Sequence, residues 1–172
     1  MDRTGIDVSV ALGTGWERMD LCIEANDYII EAVRRHPGRI VGFCTVNPLA
    51  GETAVKEVER CARAGLRGIG ELHPDTQGFD LGDRATMAPL VELAVHRGMP
   101  ILTHASEPVG HRYAGKGRTT PEVLCRFIDS FPEATLICAH WGGGLPFYAL
   151  MPEVSRALQR VFFDTAASPF LY

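Results

Sequence analysis

The chain has 172 residues, with 17 basic and 21 acidic side chains for a formal charge of −4, and 46% hydrophobic against 22% charged residues. That balance is ordinary for a globular domain and excludes a disordered tail, a collagen-like repeat and a coiled-coil rod. Mild acidity argues against nucleic acid or an anionic membrane as partner, no apolar run approaches the roughly 20 residues that span a bilayer, and residues 1–5 carry no apolar signal-peptide core.

In chain order, residues 1–5 read as the end of a helix entering a strand at 6–12. Ile23, Ile29, Ile30 and Val33 give helical spacing over 19–36, stopped by Pro37-Gly38. A β-branched strand at 40–46 precedes a helix at 52–64, closed by Gly65 because glycine tolerates φ > 0. The pattern then repeats: strand 66–72, helix 85–97, strand 100–105, and helix 121–131 with Thr120 as N-cap and Pro121 at the first helical position. Strand 135–140, helix 146–159 and strand 161–165 follow. The five cysteines (22, 44, 61, 125 and 138) are odd in number and form no C-x-x-C pair. They read as small buried hydrophobes of a reducing cytosol, so a cytoplasmic single domain over residues 1–172 is expected.

Short, continuous apolar strands alternating with helices suit a parallel sheet with helices on its outer side. Both a doubly wound sheet and a (β/α)8 barrel meet that description. The barrel is favoured because Glu71, His73, His104, His140 and Asp164 stand at the C-terminal ends of different strands, which a barrel brings to one mouth. A barrel takes about 250 residues, so six strands leave this chain two units short. The expected fold is α/β, an incomplete (β/α)8 TIM-barrel holding strands two to seven, stopping at residues 169–172 where a helix should follow.

His104 and His140 each close an apolar strand, one strand–helix unit apart. Neutral imidazole is the commonest metal ligand, so the pair reads as a metal or catalytic site, against the alternative of core histidines satisfied by carbonyls. Glu71, flanked by glycines, would ligate a metal, act as a base or simply form an ion pair. His73 reads as loop structure. Asp164 follows two phenylalanines, where burial needs a partner; it would orient a ligand histidine, hold substrate or make a strand-end hydrogen bond. The run from His140 and Trp141 through Gly142 to Gly144 offers backbone N–H groups to an anion, or merely permits a tight turn. The long loop 105–120 carries Glu107, His111, Arg112, Tyr113, Lys116 and Arg118. Its cations suit capture of a substrate carboxylate, the alternative being a solvated loop. Gly110 to Lys116 spells G-x-x-x-x-G-K, but Gly117 stands where a phosphate loop needs Ser or Thr and no helix begins there. His36 and His96 sit in the last turns of helices and complement their dipoles.

Several segments together resemble one family: Val41-Gly42-Phe43 with Val46-Asn47-Pro48; Gly65 to Gly70; Gly98 to His104; Phe131-Pro132 leading to Ala139-His140-Trp141-Gly142-Gly143; and Phe163-Asp164-Thr165-Ala166. They resemble the amidohydrolase-related branch of the metal-dependent amidohydrolase superfamily, over nearly the whole chain. The resemblance implies a (β/α)8 barrel and a divalent metal ion, zinc first and manganese as the alternative. It implies that His104 matches the strand-five metal ligand. His140 matches the strand-six histidine, which binds metal or acts in catalysis. Glu71 stands where many members have lysine and looks more like the TatD-type relatives, in which a glutamate there can bind metal. Asp164 matches the strand-seven motif. The family's strand-one H-x-H and strand-eight aspartate motifs are absent, so a site built from them cannot form in this chain, and a chain shortened at both ends is expected.

The leading functional expectation is a hydrolase in which metal-activated water attacks an ester, lactone or amide, with His140 or Asp164 moving the proton. Glu107, His111, Lys116 and Trp141 would contact a small-molecule substrate, carboxylated if the loop cations are used. The alternatives are a metal-dependent decarboxylase of the same family, and an inactive fragment that acts only through association, its open strand edges favouring a homo-oligomer.

Overall fold

The computed structural model describes residues 1–168; the expectation for residues 169–172 lies outside that range. Six strands alternate with helices: β1 (Ser9–Ala11), α1 (Met19–Arg35), β2 (Ile40–Cys44), α2 (Glu52–Arg63), β3 (Gly68–Leu72), α3 (Pro74–Gln77), α4 (Arg84–Arg97), β4 (Ile101–Thr103), α5 (Pro121–Ser130), β5 (Leu136–Cys138), α6 (Pro152–Ala157) and β6 (Val161–Phe163). All neighbouring strands are parallel, and their order in the sheet is their order in the chain. A doubly wound sheet reverses direction at a switch point. This one does not, and it forms part of a (β/α)8 barrel wall, open between β1 and β6.

The helices sit where their apolar spacing demands. α2 buries Ala54, Val58 and Cys61, α4 buries Met87, Leu90, Val91 and Ala94, and α5 buries Leu124, Phe127 and Ile128. Recurrence at three and four residues makes one apolar stripe per helix. The stripes meet Cys44, Ile69, Leu72, Ile101, Leu136 and Cys138 of the sheet in one core. Each large side chain so buried is worth about 1.5–3 kcal/mol against leaving it exposed. Asp83 starts α4 by accepting the Ala85 N–H, and Gly65, at φ 100°, turns the chain out of α2. All five cysteines are free; four are buried and Cys125 is half-buried.

The inner face of the sheet is a second, smaller apolar layer of Phe43, Leu102 and Ala139 with Val41 and Ile137. β3 contributes glycines there. A Cβ on Gly68 would lie 2.5 Å from the Phe43 ring, and one on Gly70 would run into the Leu102 carbonyl. Register places Val10 beside Val41 and Phe162 beside Ile137, so the edge strands continue the inner layer. Among the described residues each edge strand has a strand neighbour on one side only, and Val10 and Phe162 are 53% and 58% exposed.

The structure corrects several boundaries. The strands are shorter than their apolar runs, because residues past the ladder turn into the loops. The helix expected at 146–159 begins only at Pro152 and ends at Ala157, with a 3-10 turn at Leu158–Arg160. Ahead of it, residues 140–144 all have positive φ, a left-handed turn that no α-helix can run through. Thr120 does precede α5, but its side chain makes no capping bond. The short α3, with Pro74 in its first turn, lay unrecognised in a polar stretch. Residues 2–4 form one 3-10 turn closed by Gly5 in the left-handed region.

Candidate metal centre

The ladder pairs Leu72 with Thr103, Thr103 with Cys138, and Cys138 with Phe163. The chain therefore leaves four successive strands at one level. There, Glu71 of β3, His104 just after β4 and His140 two residues after β5 converge. Glu71 Oε1 is 3.0 Å from His104 Nδ1, His140 Nε2 is 3.2 Å from the same Nδ1, and Glu71 Oε1 and His140 Nε2 are 3.8 Å apart. His104 is buried; Glu71 and His140 are partly buried. Among the described residues this is the group of side chains able to hold a metal ion.

The surroundings fix which ring nitrogen points inward. His140 Nδ1 is 2.8 Å from the Ala166 carbonyl, which accepts its proton and leaves Nε2 as the basic nitrogen facing Glu71. His104 Nε2 is 3.1 Å from the Gly115 carbonyl and 3.3 Å from Ser106 Oγ, so its Nε2–H is spent there and Nδ1 faces the cluster. Three lone-pair donors thus meet with a carboxylate among them, an arrangement that repels itself unless a cation or proton sits inside. A metal with bonds of about 2.0–2.2 Å to N and O needs ligand atoms separated by roughly 3–3.5 Å, close to the separations here. A carbonyl behind each imidazole is the outer support that metal-binding histidines use.

Burial pushes the Glu71 carboxyl up, but when a proton rather than a cation sits between Oε1 and His104 Nδ1, that hydrogen bond and the neighbouring imidazoles outweigh burial and hold the group below its ordinary value. His73 stacks on His104, ring centroids 4.1 Å apart and planes 19° from parallel, with its Nδ1 3.0 Å from Thr76 Oγ1. Burial and the nearby His104 push the His73 imidazole down. The residue read as loop structure is therefore a wall of the cluster.

Asp164 is outside the convergent group. Its Oδ1 accepts the backbone N–H of His140 and of Ala166, each at 3.0 Å, and its carbonyl accepts Trp141 N–H at 2.9 Å. Two of the N–H groups that the glycine-rich turn was expected to offer an anion are thus committed, and Gly142 N–H goes to the Ala139 carbonyl. A Cβ on Gly143 would collide with the Ser106 carbonyl, so this glycine is required by a close backbone approach.

Loop 105–120 is tied down. Lys116 Nζ is 3.1 Å from Glu107 Oε1, both side chains about 15% exposed, and it also donates to the His111 carbonyl. Tyr113 donates to Glu107 Oε2 at 2.8 Å, and His111 packs edge-on against Tyr113. Arg118 pairs with Asp75 of α3 through both its backbone N–H and its guanidinium. Of the expected substrate contacts, Glu107 and Lys116 neutralise each other, His111 is exposed on the loop, and Trp141 is 42% exposed beside His140. Gly115, Ser106 and Ala166 were not anticipated, because two act through main-chain carbonyls that carry no sequence signal.

The family model described as Amidohydrolase matches residues 4–170. The chain is 27% identical over 146 residues to a 2-amino-3-carboxymuconate-6-semialdehyde decarboxylase of Dictyostelium discoideum, covering 76% of this chain and 40% of that protein. It superposes on a 5-carboxyvanillate decarboxylase of Sphingomonas paucimobilis with a TM-score of 0.76 at 21% identity, over 96% of this chain and 62% of the other. It also matches a 5-carboxyvanillate decarboxylase of Novosphingobium aromaticivorans, solved with manganese and 3-methoxy-4-hydroxy-5-nitrobenzoic acid, at 27% identity and a TM-score of 0.72, over 87% of this chain and 50% of the other. The chain therefore spans between 40% and 62% of the length of these proteins.

Proposed function

This chain belongs to the amidohydrolase family, and from that membership we propose that Glu71, His104 and His140 hold a divalent cation for decarboxylation of a small carboxylated aromatic acid. The observation that carries the metal reading is the convergence of three basic atoms, two of them imidazole nitrogens whose rings are already fixed by outer partners. The choice of reaction rests on the relatives: the three proteins compared are named as decarboxylases, and one holds manganese with a substituted benzoic acid. The hydrolase expectation stands only at the level of the family, and its alternative has the better support. The same comparison favours manganese over the expected zinc, although a two-imidazole, one-carboxylate set suits either ion.

When bound, the cation would supply Lewis-acid polarisation of a substrate oxygen. The chain's own residues do the rest. Glu71 and the two imidazoles present one anionic and two neutral donors, so the loaded site keeps positive charge for a carboxylate. His73 stacks behind His104 and narrows the approach. In the reaction the bond between the ring carbon and the carboxylate breaks, carbon dioxide leaves, and the electron pair left on the ring carbon takes a proton from solvent water, releasing hydroxide. The proton-carrying role expected of His140 or Asp164 belonged to the hydrolase reading; here His140 lies in the ligand set and Asp164 binds backbone N–H groups.

The test is to load the purified chain with manganese and offer it hydroxylated benzoic acids bearing an extra carboxyl group, beside aryl esters and lactones. Manganese-dependent release of carbon dioxide is expected. Ester or lactone cleavage without carbon dioxide would restore the hydrolase reading, and turnover of neither class would remove the catalytic assignment from this chain.

A further inference from the structure

Asp164 lies directly after β6, on a different strand from every member of the convergent group, yet its bonds end on His140. One carboxylate oxygen accepts the His140 N–H and the Ala166 N–H together, each at 3.0 Å. The Ala166 carbonyl in turn accepts the His140 Nδ1 proton at 2.8 Å. The Asp164 main chain adds a bond from Trp141 N–H at 2.9 Å and donates its own N–H to the Cys138 carbonyl at 3.1 Å, which locks the clamp to the β5–β6 ladder. His140 and Trp141 need such a clamp. Their φ angles of 54° and 56° lie in the left-handed region that side-chain-bearing residues rarely adopt.

We propose that Asp164 is the positioning residue of the centre: its carboxylate holds the left-handed backbone of His140 and, through Ala166, sets the ring tautomer that turns Nε2 toward Glu71 and His104. The relation to metal binding rests on the function proposed above; the tautomer does not, and it can be read without metal. The role asked of Asp164 is that of an acceptor for two N–H groups. An asparagine carbonyl oxygen can replace it, whereas a methyl group cannot.

The experiment compares wild type, Asp164→Asn and Asp164→Ala by 15N NMR of the histidine rings in metal-free protein and by manganese titration. His140 is assigned by its loss in His140→Ala. The Nδ1–H tautomer of His140 is expected in wild type and in Asp164→Asn. In Asp164→Ala that signature should be lost or averaged, with manganese affinity down about 10–100-fold, the range for removing an outer support of a ligand. The proposal is overturned if Asp164→Ala keeps the Nδ1–H form, or if Asp164→Asn loses it as fully as Asp164→Ala. Should Asp164→Ala fail to fold, Asp164→Asn decides alone: a changed tautomer in that folded variant refutes the acceptor role. Failure of wild type to bind manganese, with the tautomer pattern as expected, would refute the metal reading and leave the clamp standing.

Discussion

Ser106 Oγ lies 3.3 Å from His104 Nε2 and accepts the Gly117 N–H at 2.9 Å, so a fully buried hydroxyl joins the putting-in-place of an imidazole to the closure of loop 105–120. Ser106→Ala leaves the Gly117 N–H without that acceptor. An unmet buried hydrogen bond costs about 1–3 kcal/mol, and 1 kcal/mol moves the melting temperature of a chain this size by roughly 2–4 °C. A fall of about 2–12 °C is expected by calorimetry, with the loop residues 105–120 exchanging their amide hydrogens faster than in wild type.

Gly70 is required by space as well as by conformation. Its φ is 135°, and a Cβ would meet the Leu102 carbonyl, which belongs to the backbone of the next strand and has no rotamer to change. Overpacking of a tight interior costs typically 1–3 kcal/mol. Gly70→Ala should reach the top of that range, about 3 kcal/mol in urea unfolding, whereas Gly38→Ala, at a position with open space around it, should cost less.

Glu57 is the acidic partner that the core tolerates. Its carboxylate accepts from Asn26 Nδ2 at 2.8 Å and from Arg60, and Asn26 binds both the N–H and the carbonyl of Thr45 beyond β2. Burial pushes the Glu57 carboxyl up, but the bonds from Arg60, Asn26 and Cys61 prevail and hold it below its ordinary value. A carboxylate depressed on folding stabilises fully above its unfolded pKa, about 4.3, and that stability is lost as pH falls through the lower folded value. Glu57→Gln should therefore cost about 2 kcal/mol at pH 7, the scale of a hydrogen bond to a charged group, and should flatten the acid limb below pH 4.5. Urea unfolding at pH 7 and pH 3.5 checks both; an unchanged acid limb would contradict the assignment.

The edge strands predict self-association. Val10 and Phe162 carry the inner apolar layer to the two open sides of the sheet and are more than half exposed there. Exposed strand edges invite pairing. Sedimentation velocity should show a concentration-dependent oligomer, shifted toward monomer in the doubly substituted Val10→Lys, Phe162→Lys chain.

The strand ends were legible because each is an apolar run that stops at a residue with chemistry: Glu71, His104, His140 and Asp164. Six apolar runs in sequence order carried the sheet topology too. The turn at 140–144 was not, since glycines permit a left-handed path without requiring one, and only Asp164 and Ser106 show why it is taken. The pairing of two loop cations was hidden for an electrostatic reason. Lys116 reads as a free positive charge in the sequence, but folding brings Glu107 to it. Arg118 is likewise held by Asp75, across 43 residues. No helix of the described residues is long and apolar enough to cross a membrane.

The most direct test of the account is manganese titration of the purified chain by calorimetry, in wild type and in Glu71→Gln, His104→Ala and His140→Ala. One ion per chain is predicted for wild type, with affinity reduced at least about tenfold in each variant and all four proteins matching in circular dichroism. Absence of binding in wild type, or binding that survives the loss of His104 and of the Glu71 charge, would contradict it.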